Sequence, residues 1–517
     1  MKWKSLKHNG VLFPPDPEYR HLSILVNGNK VILTPFQEEM AWAWAKKKDT
    51  PYVQDKVFQA NFLTDFLKLF PSFEGVSLEQ IDFSEIISLQ EKERVSNSDP
   101  QRKKKLAQER KKRRETLKEK YGYAEIDGVR TEVGNYMVEP PGIFMGRGEH
   151  PLRGKWKPRI SPEDIILNLD ETAAPPVAPI PGSQWGKIIH DHNSTWLASW
   201  RDSLSESMKY VWLSDVAAIR QSRDKVKYDT AAHLRKAIKK VRSNILSGMR
   251  DGDVKVRKVA TVAFLIDNVS MRVGDEKDEE EADTVGATTL RVEHLTFTNS
   301  GLDFDFLGKD SVRWQKSLPL DPDGVVSKNI KDFTKGKQPG DQIFENITSD
   351  AVNRFLAKGM KGLSAKVFRT YQASNEVRDY LMGNEIETHD SENLKIFHAK
   401  MANLQAAQRC NHKRTPPPNW NERLAKKEEK LIEILSQTAK TEKGVQRLAN
   451  RVENFKLKIR LDKATRDYNL NTSLRNYIDP RLYKGWAESV EMEWSRLYPK
   501  ALQRKFAWVD SIRTKWP

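Results

Sequence analysis

The most apolar window of this sequence, Val259 to Ile266, is eight residues long. A helix needs about 20 apolar residues to cross a bilayer. Membrane-spanning helices are therefore not expected, and the chain must bury its apolar residues by packing amphipathic elements against one another. At 517 residues it outgrows a single core, so several domains are expected.

The charge balance narrows the choice of partner. Lys and Arg number 88 against 71 Asp and Glu, a net charge of +17. Such a surplus repels itself and usually serves a polyanionic partner. Nucleic acid is the leading candidate and an acidic membrane surface the second. The surplus is densest in Arg102–Lys120, RKKKLAQERKKRRETLKEK, which has high helix propensity and almost no apolar stripe. It reads as a solvated basic helix, either a plain solvated face or a segment for DNA contact or nuclear import. The single cysteine, Cys410, rules out a disulfide framework within the chain and fits a reducing compartment such as nucleus or cytosol. The opening residues, MKWKSLK, lack the apolar segment of a signal peptide.

Periodicity organises the rest. Leu22–Val26, Asn27-Gly28-Asn29 and Val31–Leu33 predict a β-hairpin. Residues 171–182, ETAAPPVAPIPG, predict a Pro-rich loop. From Tyr228 the pattern is helical, with stripes Leu234, Ile238, Val241, Ile245 and Val259, Val262, Ala263, Ile266. Strands are then expected around Leu290, Val292 and Phe297, around Phe304 and Phe306, and around Val312 and Trp314, with Lys309 near the tip of the last hairpin. Val445, Leu448, Val452, Phe455 and Ile459 follow coiled-coil spacing, and Leu424, Leu431 and Leu435 form a partial seam before them. An antiparallel helix pair turning at Thr441–Gly444 is the natural reading, with one long helix as the alternative. Leu470–Pro517, rich in Trp and Tyr, reads as a small helical unit of its own.

Several chemistries lack their signatures. There is no G-x-x-x-x-G-K-[ST] phosphate loop and no C-x-x-C or H-E-x-x-H spacing, so neither ATP-driven motion nor a zinc site has support. No cofactor and no metal are expected. His190, Asp191 and His192 could ligate a metal, but a solvated loop or a phosphate contact is the favoured reading. The acidic run Asp275–Glu281 could bind a cation, but balancing its basic neighbours or capping a helix is the favoured reading.

Five strings stand apart. Arg272 lies in SMRVGDEK, Lys309 in FLGKDSVRW, Arg369 in AKVFRTYQAS, His412 in RCNHKRTPP and Tyr477 in TSLRNYIDPR. Singly, an Arg is usually a salt-bridge partner and a Tyr usually packing. Together and in this order they resemble the active-site segments of eukaryotic type IB DNA topoisomerases. The resemblance extends through KWKSLKHNGVLFPP (Lys2–Pro15), EPPGIFMGRGEHP (Glu139–Pro151), PRISPEDIILN (Pro158–Asn168), ADTVGATTLRVEHL (Ala282–Leu295) and QRKFAW (Gln503–Trp508). It departs before the tyrosine, where the family shows Ser-Lys-x-x-Tyr and this chain has Ser473-Leu474-Arg475-Asn476-Tyr477.

The resemblance implies a mixed α/β, multidomain fold: a bilobed clamp around duplex DNA. Its parts would be an α+β upper lobe (1–217), a mainly helical, tyrosine-recombinase-like catalytic lobe (218–415), a coiled-coil linker (416–466) and a small helical C-terminal domain (467–517). It implies Tyr477 as nucleophile, Lys309 as general acid, and Arg272, Arg369 and His412 as stabilisers of the pentavalent phosphoryl transition state, without metal or ATP. A free tyrosine has a pKa of about 10. Clustered cations favour its phenolate and the charge building on the phosphoryl oxygens, and an arginine offers two parallel N–H donors, a pairing that a lysine cannot provide. By the same resemblance Arg147, Lys209, Tyr210, Lys227, Lys277, Thr284 and Lys366 contact DNA. Glu139, Arg147, Asp310 and Asn476 match positions where camptothecin-type inhibitors act. A monomer in the nucleus, serving replication and transcription, is the implied setting. A tyrosine recombinase shares the residue logic but not the first 170 residues. A catalytically silent DNA-binding scaffold draws support only from the altered string before Tyr477.

Overall fold

The computed structural model describes residues 2–146, 148–274, 285–308, 312–321 and 324–516. Of the expected site residues, Arg147, Lys277, Thr284, Lys309 and Asp310 lie outside the described residues, as does the acidic run Asp275–Glu281. The chain is mixed α/β with about 50% helix and several small sheets. It divides into two compact units, Met1–Arg220 and Gln221–Lys277 with Asp283–Pro517.

The first unit runs β1 (Leu6–His8), β2 (Ser23–Val26), β3 (Asn29–Ile32), α1 (Pro35–Ala45), α2 (Lys56–Leu67), β4 (Ile81–Asp82), α3 (Ser84–Ser98) and α4 (Pro100–Tyr121). It continues with β5 (Tyr123–Ile126), β6 (Val129–Glu132), β7 (Gly142–Ile143), β8 (Trp156–Lys157), β9 (Ile166–Asn168), β10 (Lys187–Ile189), β11 (Trp196–Arg201) and β12 (Met208–Trp212). The hairpin expected at Leu22–Leu33 is β2–β3. Val26 pairs with Asn29, and Asn27 and Gly28 turn with φ of 50° and 79°, the conformation a two-residue turn of matching twist requires. Phe58, Phe62 and Phe66 recur every fourth residue along α2 and stack beneath Trp44 of α1, with ring centroids of Trp44 and Phe62 4.3 Å apart. A second core, with Trp3, Leu167 and Trp200, lies against the sheet ordered β10-β9-β11-β12. Helix α4 begins at the Asp99 side chain, which accepts from the Arg102 N–H, and buries only Tyr121, as expected of a solvated basic helix. Residues 171–182 contain no helix or strand.

The second unit is built on α5 (Ala218–Gly248), α6 (Val254–Val269), the antiparallel sheet β13 (Leu295–Thr298), β14 (Gly301–Gly308) and β15 (Val312–Pro319), then α7 (Val325–Thr334), α8 (Ser349–Gly359), α9 (Ala365–Met382) and α10 (Glu392–Arg409). It ends with α11 (Trp420–Leu435), α12 (Glu442–Ala464), α13 (Leu470–Asn476), α14 (Pro480–Ser489) and α15 (Lys500–Lys505). The predicted stripes bury Leu234, Val241, Ile245, Val262 and Ile266 against Phe304, Phe306 and Trp314 of the sheet. A second core joins Ala399, Ala402 and Ala406 of α10 to Ala373 and Val377 of α9, where small side chains let the two helices approach closely.

Three expectations change. Leu290 and Val292 are not in a strand: Leu290 is in a loop and Val292–His294 is a single 3-10 turn, because the antiparallel pairing here stops at one bridge, Arg291 with Gln342, flanked by the bonds from the Ile343 N–H to the Leu290 carbonyl and from the Val292 N–H to the Asp341 carbonyl. Thr441–Gly444 is not the turn between the linker helices. Thr441 caps α12 by accepting from the Gly444 N–H, so the chain reverses before it. The helices do run antiparallel, since Lys427 meets Asp462 and Arg451 meets Gln437, yet Ile434 is the one buried residue of α11 and Ile459 that of α12. Finally, the C-terminal segment closes no core of its own: Leu474, Ile478, Tyr483, Trp486 and Phe506 share theirs with Tyr228, α9 and α10. Among the described residues no helix is long and apolar enough to cross a membrane.

One close approach shapes the backbone after α6. The N–H groups of Ala287 and Thr288 donate to the carbonyls of Arg272 and Val273 at 2.8 Å each. Gly274 (φ 79°) and Gly286 pass so closely that a Cβ on Gly286 would stand 2.4 Å from Gly274 Cα. Gly286→Ala is expected to lower stability by about 2 kcal/mol. Urea unfolding checks this, and an unchanged midpoint would show that the two segments are not locked together.

Candidate functional site

Four of the five residues singled out by their strings are described, and all four meet in the second unit. Each is delivered by the end of a helix. Helix α6 stops at Ser270, which takes a left-handed conformation (φ 56°), and Arg272 follows it outside any helix or strand. Arg369 lies in the second turn of α9 and is 4% exposed. Helix α10 ends at Cys410; Asn411 (φ 52°) reverses the chain, and the His412 N–H donates back to the Ala407 carbonyl. The His412 carbonyl then accepts from the Asn469 N–H, tying this loop to the start of α13. Tyr477 caps that seven-residue helix, its own N–H donating to the Ser473 carbonyl.

The side chains converge on the phenol. Arg369 donates from Nη1 to Tyr477 Oη at 3.0 Å and from Nη2 to the Cys410 carbonyl at 2.9 Å. Its guanidinium carbon lies 4.7 Å from the Tyr477 ring centroid, and the His412 ring lies 5.3 Å from it on a near-parallel plane. Arg272 completes the group. Its pKa is lowered, first by burial and then by the charge of Arg369. Among the described residues no carboxylate pairs with Arg272 or Arg369. A cleft of about 30 Å³ beside them is lined by Ser270, Arg272, Phe306, Trp314, Arg369 and Cys410.

His412 is 4% exposed, and among the described residues neither ring nitrogen has a hydrogen-bond partner. Buried polar atoms are nearly always paired, so two open nitrogens facing a tyrosine and two guanidinium groups describe a place made for an oxygen-rich anion. Burial, and then the charges of Arg369 and Arg272, hold the His412 pKa down at about 3. The ring is therefore neutral at physiological pH and offers one N–H donor.

The departure before Tyr477 has a packing basis. Leu474 is 7% exposed within the core shared with α9 and α10, while Arg475 is exposed, so the position occupied by lysine in the family pattern is here an apolar anchor. Ser473 donates to Asn403 Oδ1 at 2.5 Å, pinning α13 to α10.

The other carried-over residues are distributed as follows. Lys366 is exposed on α9, three residues before Arg369. Lys227, expected from the resemblance to contact DNA, instead turns inwards and donates to Asp224 and to the Asn476 carbonyl, both at 3.1 Å; burial lowers its pKa to about 8. Asn476 donates to the Thr472 carbonyl. In the first unit, Lys209 lies 3.7 Å from Asp202, Tyr210 is exposed between Trp196 and Trp212, and Glu139 pairs with Lys157. His190 and His192 engage the carbonyls of Leu169 and Trp3, and among the described residues no group of three His, Cys, Asp or Glu side chains could hold a metal. Two groups at the site carried no sequence signal. Lys316 donates to the carbonyls of Val269 and Arg409 at the ends of α6 and α10, and Ser374 donates to the Tyr477 carbonyl. Both roles depend on which helix ends meet.

Three family models match the chain in succession: eukaryotic DNA topoisomerase I, DNA binding fragment, over residues 1–213; eukaryotic DNA topoisomerase I, catalytic core, over 216–445; and the C-terminal topoisomerase domain over 449–517. Among curated relatives, DNA topoisomerase 1 beta of Arabidopsis thaliana is 36% identical over 99% of this chain and 59% of its own length. DNA topoisomerase 1 of Candidozyma auris is 37% identical over 96% and 66%, and that of Homo sapiens 34% identical over 98% and 71%. The chain thus spans 59% to 71% of the length of these relatives.

The depressed pKa of His412 gives a signed prediction. Its folded pKa of about 3 lies below the ordinary value of 6.5, so the unfolded chain takes up a proton that the folded chain refuses. Its contribution is complete above the unfolded pKa and is lost as pH falls towards the folded one. Compared with His412→Asn, the wild type is expected to lose about 1.4 kcal/mol per pH unit between about pH 6 and pH 4. Denaturant unfolding of both proteins across that range checks this, and parallel pH profiles would show that the imidazole takes up its proton without penalty.

Proposed function

Because the chain belongs to the eukaryotic DNA topoisomerase I family, we propose that it is a type IB DNA topoisomerase that cuts one strand of duplex DNA through Tyr477 and reseals it. The observation that carries this reading is the 3.0 Å hydrogen bond from Arg369 to the Tyr477 phenol, beside a neutral His412 with both nitrogens open. A phenol held in place by a guanidinium is positioned for nucleophilic attack.

In the proposed reaction the Tyr477 oxygen gives up its proton to solvent and attacks the scissile phosphorus as the bond to the 5′ oxygen breaks. The products are a 3′-phosphotyrosine and a free 5′-hydroxyl, protonated by Lys309 as general acid. Arg272, Arg369 and His412 donate hydrogen bonds to the non-bridging oxygens as charge builds on them. One phosphoester replaces another, so bond energy is retained without ATP. The cations supply the electrostatic stabilisation that a metal ion supplies in other phosphoryl-transfer sites. Between cutting and resealing, rotation of the free end relaxes supercoils of either sign.

The proposed organisation is a bilobed DNA clamp. Residues 1–217 form its upper lobe, 218–415 a tyrosine-recombinase-like catalytic lobe, 416–466 a coiled-coil linker and 467–517 the C-terminal domain that carries the nucleophile. Lys209, Tyr210, Lys366, Arg147, Lys277 and Thr284 contact DNA. Glu139, Arg147, Asp310 and Asn476 border the site of camptothecin-type inhibitors. The protein acts as a monomer in the nucleus during replication and transcription.

Plasmid relaxation in EDTA without ATP tests the reading. The wild type should relax positive and negative supercoils, Tyr477→Phe neither, with DNA binding retained. Arg369→Ala should lose about 100- to 1,000-fold in rate. A folded wild type that is inert would instead mark a silent DNA-binding scaffold, and strand exchange between defined sites a recombinase. Binding should weaken with salt at a log–log slope of about −9 if roughly ten phosphates are neutralised. A slope near zero would overturn the clamp.

A further inference from the structure

Tyr477 lies beyond the last turn of a short helix, and helix ends fray unless something holds them. Its ring is fixed by Arg369 and His412. Its backbone is fixed by two side chains from other helices. The Ser374 hydroxyl donates to the Tyr477 carbonyl at 3.3 Å and accepts from the Asp479 N–H at 3.1 Å, so it spans the turn between α13 and α14. The Lys227 ammonium donates to the carbonyl of the preceding residue, Asn476, at 3.1 Å. Two successive carbonyls at the tyrosine are thus held from α9 and α5.

The bonds depart from what these side chains do by default. A hydroxyl within a helix ordinarily bonds the carbonyl four residues back. Thr370, one turn earlier on the same helix, does so with Lys366. Ser374, 7% exposed, reaches instead to the Tyr477 segment. Lys227 is likewise not required by its carboxylate neighbour, because Asp224 is also paired with Lys505 at 3.0 Å. The spacing along α9 adds a third consideration. Arg369 and Ser374 are five residues apart, roughly 7.5 Å of helix at about 1.5 Å per residue, comparable with the reach of a tyrosine side chain. One rigid helix therefore grips the nucleophile at both ends, the phenol through Arg369 and the backbone through Ser374.

We propose that Ser374, assisted by Lys227, is a positioning residue that sets the height of the Tyr477 phenol at the scissile phosphate. The proposal rests on Tyr477 being the nucleophile. Ser374 touches no reacting atom. It acts by removing the freedom of the backbone that carries the phenol, and small misplacements of a nucleophile are costly in rate.

Single-turnover cleavage by the full chain tests this. The probe is a duplex whose strand downstream of the cut is short enough to diffuse away, so that the covalent adduct accumulates. At saturating DNA, Ser374→Ala should lower the cleavage rate constant by about tenfold, and Ser374→Thr, which keeps the hydroxyl, should recover it to within about threefold. Religation by an added 5′-hydroxyl strand should slow by the same factor, because both directions share one transition state. The balance between cut and sealed DNA should then stay unchanged, as should the DNA Kd. Lys227→Met should behave like Ser374→Ala, independently of whether the serine variant folds. A merely structural role would lower the amplitude of adduct formation or the Tm and leave the rate constant alone. That result, or a wild-type rate constant in both variants, overturns the proposal. Tyr477→Phe separates the two levels: if it still forms the adduct, the nucleophile is elsewhere and both readings fall. If it forms none while Ser374→Ala and Lys227→Met cut at the wild-type rate, only the positioning role is lost.

Discussion

The Arg369 guanidinium joins three stretches of chain that are distant in sequence. It donates to the Tyr477 phenol and to the Cys410 carbonyl, and it does so while 4% exposed. A buried charge without a carboxylate is costly, and here the cost is offset by acceptors at helix ends. The Cys410 carbonyl belongs to the C-terminal end of α10, where the helix dipole favours a cation. The rest of the catalytic unit depends on this arrangement, because the ends of α6, α9, α10 and α13 must all arrive where the guanidinium can reach them.

Lys316 shows the same logic one layer further in. Its ammonium bridges the carbonyls of Val269 and Arg409, the last residues of α6 and α10, and burial lowers its pKa to about 8. Arg409 in turn donates to the Asn268 carbonyl at 2.8 Å. Orphan carbonyls at helix termini need donors, and at the ends of α6 and α10 cations supply them. The result is a cluster of positive groups held apart by backbone oxygens, with the neutral His412 among them. In the proposed reaction, a phosphodiester brought into such a cluster would meet charges already oriented, with little reorganisation left to perform.

Much of this fold was legible in the sequence where the signal is local. The Asn27-Gly28 turn, the stripes of α5 and α6, the alternation of β14 and the bareness of α4 all follow from periodicity and turn chemistry. Reading failed where a tertiary partner decides the outcome. Leu290 and Val292 have strand-like side chains, but their backbone meets residues 341–343 in one isolated bridge, too short to make a strand. The C-terminal segment is apolar enough to suggest a core of its own, yet its Trp486 and Phe506 are covered by α9 and α10. Leu474 looked like a departure because its surroundings were not visible. It is buried, and the adjacent Arg475 takes the exposed place.

The sequence by itself determined the residue types available for chemistry, the cationic surplus, the helical and strand periodicities and, through five distinctive strings, the family. What it could not determine was distance. Arg369 and Tyr477 are separated by 108 positions, and Ser374 and the Tyr477 carbonyl by 103. Those separations close only because the stripes of α9, α10 and α13 are buried against one another in one core. Side-chain pattern is encoded residue by residue, whereas a hydrogen bond between helix ends exists only after the packing of whole helices has fixed where those ends lie.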